Sequence, residues 1–170
     1  QSFYQHQGID FPAIGRAILI HLRIKKLAQG ASTISQQLIR NYFLTANKTL
    51  KRKTREAALT IELERRYSKE QILEWYLNLV PFGSNIYGVE VASQTFFNKP
   101  ARYLSLPQAA TMAALVKSPS LLWPYGPNKD GLMARKDYVL NQMAKLCYIT
   151  EEQSQAAKDE TLTFTPIANI

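Results

Sequence analysis

Two short segments hold most of the residues that could do chemistry. In Gly30-Ala31-Ser32-Thr33-Ile34-Ser35-Gln36-Gln37, small hydroxyl residues stand at a helix start with two amides in its first turn, and Arg40 and Asn41 follow one turn later. Gln36 and Arg40 are four apart, as are Gln37 and Asn41, so both pairs share neighbouring faces. Backbone amides at a helix terminus, hydroxyl donors and a guanidinium suit a phosphate or pyrophosphate; the same residues also make an ordinary capped helix with a polar face. In Arg52-Lys53-Thr54-Arg55-Glu56, helical spacing puts Arg52 one turn below Glu56 with Lys53 alongside. Glu56 is the first carboxylate after Asp10, and the cations around it favour its ionised form. That suits it to orient donors or hold charge better than to act as a protonated acid. The competing reading is an intrahelical ion pair worth about 0.3–0.5 kcal/mol.

Other chemistries find little support. His6 and His21 are the only histidines, with no Cys, His or acidic cluster at metal spacing, so no protein-bound metal is expected. Neither Ser-x-x-Lys nor Gly-x-Ser-x-Gly occurs, nor a Gly-rich phosphate loop followed by Lys and Ser or Thr, which argues against acyl transfer and ATP hydrolysis. Cys147 is the only cysteine, so an internal disulfide is excluded. With 21 Lys and Arg against 13 Asp and Glu, the net charge of +8 predicts an anionic partner: nucleic acid, a phosphate ligand or lipid headgroups. The excess is local, because no acidic residue lies between Asp10 and Glu56.

These residues must be positioned by helices. At 170 residues and 46% hydrophobic, the chain fits one globular domain with a core, taken as residues 1–170. Ser68 with Gln71, Ser105 with Gln108 and Thr150 with Gln153 have capping-box spacing. Asp10-Phe11-Pro12 can open a helix that Gln29-Gly30 would close, covering roughly residues 11–28. Its apolar side (Ala13, Ala17, Ile20, Ile24, Leu27) and its basic side (Arg16, Arg23, Lys26) make it amphipathic, fit for an anionic membrane surface or for packing on the core. Further periodic stretches run over about residues 35–43, 50–66, 68–79 and 88–97, and no alternating run predicts a sheet. No run of about 18 apolar residues spans a membrane. Residues 161–170 have no clear ending, so a downstream domain is expected.

Taken in order, these segments resemble the peptidoglycan glycosyltransferases, found as monofunctional transglycosylases and as the catalytic module of class A penicillin-binding proteins. Phe3, His6 and Gly8 look like the back of the family's first motif, Glu-Asp-x-x-Phe-x-x-His-x-Gly, whose Glu-Asp would immediately precede Gln1. Gly30, Ser32, Thr33, Gln36 and Gln37 match the second, Gly-x-Ser-Thr-x-x-Gln-Gln, and Arg52, Lys53 and Glu56 match the third, Arg-Lys-x-x-Glu. Residues 69–78 look like the fourth, which in the family is mainly structural. Residues 92–99 look like the fifth, Ala-x-x-x-Tyr-Phe-Gly-Lys, with Phe96 in place of Tyr and Asn98 in place of Gly. Asn tolerates a left-handed backbone, so Asn98 can keep that turn.

The resemblance implies a mainly α, lysozyme-like helical domain with a membrane-associating amphipathic segment between the first two motifs. It implies polymerisation of lipid II into glycan strands, with inversion and release of undecaprenyl pyrophosphate. Catalysis would fall to Glu56 and to the first-motif Glu expected upstream of Gln1; general-base help contributes about 10²–10⁴-fold, so residues 1–170 alone are expected to turn over little. Substrate binding would fall to Ser32, Thr33, Gln36, Gln37, Arg40, Asn41, Arg52 and Lys53. No obligatory cofactor is implied, although a divalent cation such as magnesium aids some relatives through the pyrophosphate. The implied partners are lipid II, the growing glycan strand, the membrane surface, a downstream transpeptidase domain and other cell-wall synthesis proteins, with no nucleic acid. The implied location is the outer face of a bacterial cytoplasmic membrane. The alternatives are a lysozyme-like muramidase, a degenerate transferase serving as a lipid-pyrophosphate scaffold, and a basic helical binding module.

Overall fold

A computed structural model describes residues 3–4, 8–9, 32–43 and 50–166. The chain divides into two compact units, Gln1–Leu77 and Asn78–Ile170. The amphipathic helix expected over residues 11–28 lies outside the described residues. Among the described residues no helix is long and apolar enough to cross a membrane.

The first unit is built on α1 (Ile34–Phe43) packed against α2 (Leu50–Arg66), followed by α3 (Lys69–Leu79), which runs on past the unit's end. Leu38 and Ile39 of α1 and Thr60 of α2 are buried. The Thr60 hydroxyl turns back onto the Glu56 carbonyl at 2.7 Å, which satisfies a polar group that would otherwise be costly inside. The Ser68–Gln71 capping box forms as expected: the Ser68 amide donates to Gln71 Oε1 at 3.0 Å and the Gln71 amide to Ser68 Oγ at 3.3 Å. It fixes where α3 starts.

The second unit corrects one expectation, because it opens with a two-stranded antiparallel hairpin, β1 (Pro81–Gly83) and β2 (Ile86–Tyr87). Ser84 and Asn85 both have positive φ, 44° and 62°, the conformation a two-residue turn needs if its strands are to keep their right-handed twist. Strands this short carry no readable alternation, which is why the sequence pattern missed them. Then come α4 (Val89–Phe97), a 3-10 turn (Ala101–Tyr103), α5 (Leu106–Leu115), α6 (Lys129–Lys145) and α7 (Glu151–Asp159). Ala110, Leu140 and Ala157 bring α5, α6 and α7 into one core, with Leu106, Val139 and Ile149 packed around it. The Ser105–Gln108 and Thr150–Gln153 boxes form at the starts of α5 and α7.

Asn98 ends α4 in the left-handed conformation, φ 51°, and its amide closes on the Gln94 carbonyl at 3.0 Å. The expected retention of that turn by Asn is therefore met. Phe96 is fully buried, with its ring 5.5 Å from that of Trp123 and 6.3 Å from that of Tyr125. Gly88, at φ 82°, joins the hairpin to α4, and a Cβ there would stand 2.6 Å from the backbone oxygen of Asn78. Backbone cannot step aside cheaply, so Gly88→Ala is expected to destabilise the fold by about 1–3 kcal/mol. Urea unfolding checks this, and an unchanged midpoint would refute the strain.

Candidate functional site

The site assembles in the first unit around the start of α1. Thr33 and Gln36 cap that start reciprocally: the Thr33 amide donates to Gln36 Oε1 at 3.0 Å, and the Gln36 amide to Thr33 Oγ at 3.2 Å. The Thr33 hydroxyl proton goes to the Gly8 carbonyl at 2.7 Å, tying the start of α1 to the segment bearing Phe3 and Gly8. Gln37 is engaged at both ends, its amide nitrogen donating to the Ser32 carbonyl at 3.3 Å and its oxygen accepting from the Tyr76 hydroxyl at 3.4 Å. Three of the residues expected to bind substrate thus use their side chains to build the helix start.

The charged part comes from α2. Glu56 is fully buried, and one of its oxygens forms an ion pair with Lys53, one turn earlier. Its other oxygen, Oε2, is buried with no hydrogen-bond partner among the described residues. The Lys53 side chain is 49% exposed, and its ammonium also reaches Ser32 Oγ at 3.4 Å. A buried carboxylate therefore holds a half-exposed cation beside the amino end of a helix, where the helix dipole adds further positive potential. Stripping a carboxylate of water costs several kcal/mol, and a single exposed lysine offsets that poorly. That combination of a buried carboxylate and an outward cation makes this the candidate site.

Arg52 is half-buried on the same helix as Lys53. Arg40, half-buried in the last turn of α1, lies close enough to Tyr76 to act on its charge: burial pushes the Tyr76 phenol above its ordinary value, and the guanidinium offsets part of that rise. Asn41, in the last turn of α1, is exposed. Ser35, Glu64, Lys69 and Tyr76 also belong to this region and were not among the expected site residues. Tyr76 and Lys69 sat in a motif assigned to structure, and Glu64 sat in no motif. Among the described residues no three His, Cys, Asp or Glu side chains gather in a way that could hold a metal ion.

The family model described as Transglycosylase matches residues 1–144. Penicillin-binding protein 1A of Aquifex aeolicus (strain VF5) is 44% identical over 164 residues, 96% of this chain and 22% of that protein. Penicillin-binding protein 1F of Bacillus subtilis (strain 168) is 41% identical over 163 residues, 95% of this chain and 22% of that protein. The chain thus spans about a fifth of the length of these relatives. The crystal structure of penicillin-binding protein 1A from Haemophilus influenzae aligns with a TM-score of 0.54 at 28% identity, covering 82% of this chain and 18% of that one.

The burial of Tyr76 and the influence of Arg40 on it can be read by titration. The stability contributed by a neutral, buried phenol is complete below the unfolded value of about 10 and is lost as pH rises through the higher folded value. The tyrosinate absorbance difference between the parent and Tyr76→Phe should therefore appear above pH ~10, and Arg40→Gln should move it higher still. Tyr76 titrating at its ordinary value would refute the placement.

Proposed function

The chain belongs to the transglycosylase family, the peptidoglycan glycosyltransferases, and from that premise we propose that it polymerises lipid II on the outer face of a bacterial cytoplasmic membrane. The observation that supports this reading best is the ion pair between buried Glu56 and half-exposed Lys53, set against Ser32 at the start of α1. It is a cation held in place for an anionic group.

In this reading the pyrophosphate of the sugar donor lies at the start of α1, among Ser32, the first-turn amides, Lys53, Arg52 and Arg40. The 4-hydroxyl oxygen of the acceptor sugar bonds to the donor's anomeric carbon from the face opposite the pyrophosphate. The bond from that carbon to the phosphate oxygen breaks, undecaprenyl pyrophosphate leaves with the electron pair, and the configuration inverts. The hydroxyl proton passes to the first-motif Glu, the general base, in the segment leading to Phe3. Charge develops on the leaving oxygen as the bond breaks, and preorganised cations act most strongly there. Glu56 keeps Lys53 aimed, while Thr33, Gln36 and Gln37 hold the helix start rigid and Asn41 offers a donor at its rim. No step passes through a metal; a divalent cation such as magnesium would arrive with the pyrophosphate. The growing glycan strand is the second substrate, with a transpeptidase domain and other cell-wall synthesis proteins as partners.

A muramidase would need a protonated carboxylic acid beside the leaving sugar oxygen. Glu56, paired with a lysine, is poorly placed for that role.

Polymerisation of purified lipid II by the full-length protein tests the proposal, with lysozyme digestion of the product as control. Lysozyme-sensitive polymer is expected. Glu56→Gln and Lys53→Ala should each lower kcat/KM by about 10²–10³-fold, the range seen when one preorganised electrostatic group is removed. Full activity in Glu56→Gln would remove that carboxylate from the mechanism. Binding of lipid II without polymer would favour a scaffold.

A further inference from the structure

Glu64 lies on α2 two turns beyond Glu56, and its side chain is only 4% exposed. One of its oxygens accepts a hydrogen bond from the hydroxyl of Ser35, a fully buried residue in the first turn of α1. The other pairs with the ammonium of Lys69 at 2.5 Å, at the first position of α3. Lys69 in turn lies over the ring of Phe3, 4.6 Å from its centroid. Gly8 closes in from the same segment: a Cβ there would stand 3.1 Å from Glu64 Cγ and 3.0 Å from Thr60 Cγ2. One buried carboxylate therefore meets α1, α3 and the segment bearing Phe3 and Gly8. None of the phosphate-binding residues proposed above is among its partners.

We propose that Glu64, acting with Lys69, is a positioning residue for glycosyl transfer. The pair holds the segment bearing Phe3 and Gly8 at a set distance from the start of α1, and so sets the general base against the leaving pyrophosphate. This rests on the transferase reading. A buried ion pair is often no more stabilising than apolar residues of the same volume, but it fixes where its partners lie. Glu64 has two acceptor oxygens and uses them on two different helices, while Lys69 carries the restraint on to Phe3. A displacement of about 1 Å between reacting groups can cost on the order of 10²-fold in rate while leaving the binding groups intact.

In the full-length protein, Glu64→Gln keeps an acceptor for Ser35 but removes the charge that holds Lys69. The expected result is a fall in kcat for lipid II polymerisation of about 10–100-fold, with KM for lipid II within about threefold of the parent. Lys69→Met should match it, the double variant should be no worse than either single one, and Lys69→Arg should recover most of the rate. Unchanged kcat in Glu64→Gln would overturn the proposal, as would a loss fully accounted for by the fraction of folded enzyme. Hydrogen–deuterium exchange supplies a readout that needs no turnover. In Glu64→Gln, amides of residues 3–9 should exchange faster while those of α6 do not change, and equal exchange in residues 3–9 would overturn the positioning role. If the parent made no polymer but this exchange difference appeared, the transferase reading would fall and the restraint would stand.

Discussion

A carboxylate without water needs positive charge, and the first unit is arranged around that need at Glu56. The group is fully buried and its direct ionic partner is Lys53, whose own side chain stays half in solvent. The pair is therefore lopsided, with the anion fixed inside and the cation held outward. A lysine tethered in this way keeps its charge at one place beside Ser32, whereas an exposed lysine without an anchor samples many rotamers and loses entropy whenever it binds. The pair requires that α2 remain helical through the three-residue step from Lys53 to Glu56, and that α1 begin where Ser32 can meet the ammonium. The Thr60 hydroxyl closing on the Glu56 carbonyl supports the first requirement, and the capping box of Thr33 and Gln36 supports the second.

The second motif looks uniform on paper, yet its residues do different work. Thr33, Gln36 and Gln37 use their polar side-chain atoms on protein groups, including Gly8 and Tyr76. Ser32 faces the lysine. A side chain already satisfied inside the protein gains little by exchanging that partner for a ligand, while an outward cation and a helix terminus gain by meeting an anion. Recognition and construction are thus separated along one helical turn. That separation lets the binding surface be rigid before a ligand arrives, which lowers the cost of binding.

Much of the helical frame was legible from local chemistry. The periodic stretches expected at residues 35–43, 50–66, 68–79 and 88–97 match the observed helices to within a residue at either end, because their apolar periodicity is bounded by polar or Pro/Gly joints. The three capping boxes at Ser68, Ser105 and Thr150 form, and a fourth with the same spacing, Thr33 to Gln36, closes the start of the helix whose capped, polar reading stood beside the ligand reading. The hairpin at residues 81–87 escaped because its strands are too short to show a period, and its turn has two residues at positive φ of which neither is glycine. Site residues inside recognised motifs were legible as types. Their partners were not, since Ser35 meets Glu64 across 29 positions and Tyr76 meets Gln37 across 39. Pairings over such separations come from packing, which no local pattern encodes.

The two replacements in the fifth motif bear on whether the domain is degenerate. A buried tyrosine must find a partner for its hydroxyl or lose about 1–3 kcal/mol, while phenylalanine fills the same space with no such demand. Phe96 is fully buried among Trp123 and Tyr125, so the ring itself is what the surroundings use. Asn98 takes the left-handed turn that a glycine would otherwise supply and still closes α4 through its amide. The neighbouring polar groups are likewise satisfied within the second unit: Ser93 donates to the Lys99 carbonyl at 2.6 Å, and the Lys99 ammonium donates to Gln108 at 3.3 Å. These contacts hold structure together, and both replacements are compatible with them. The substitutions therefore give no ground for reading the domain as a damaged enzyme, and the proposed chemistry turns instead on Glu56, Lys53 and Ser32.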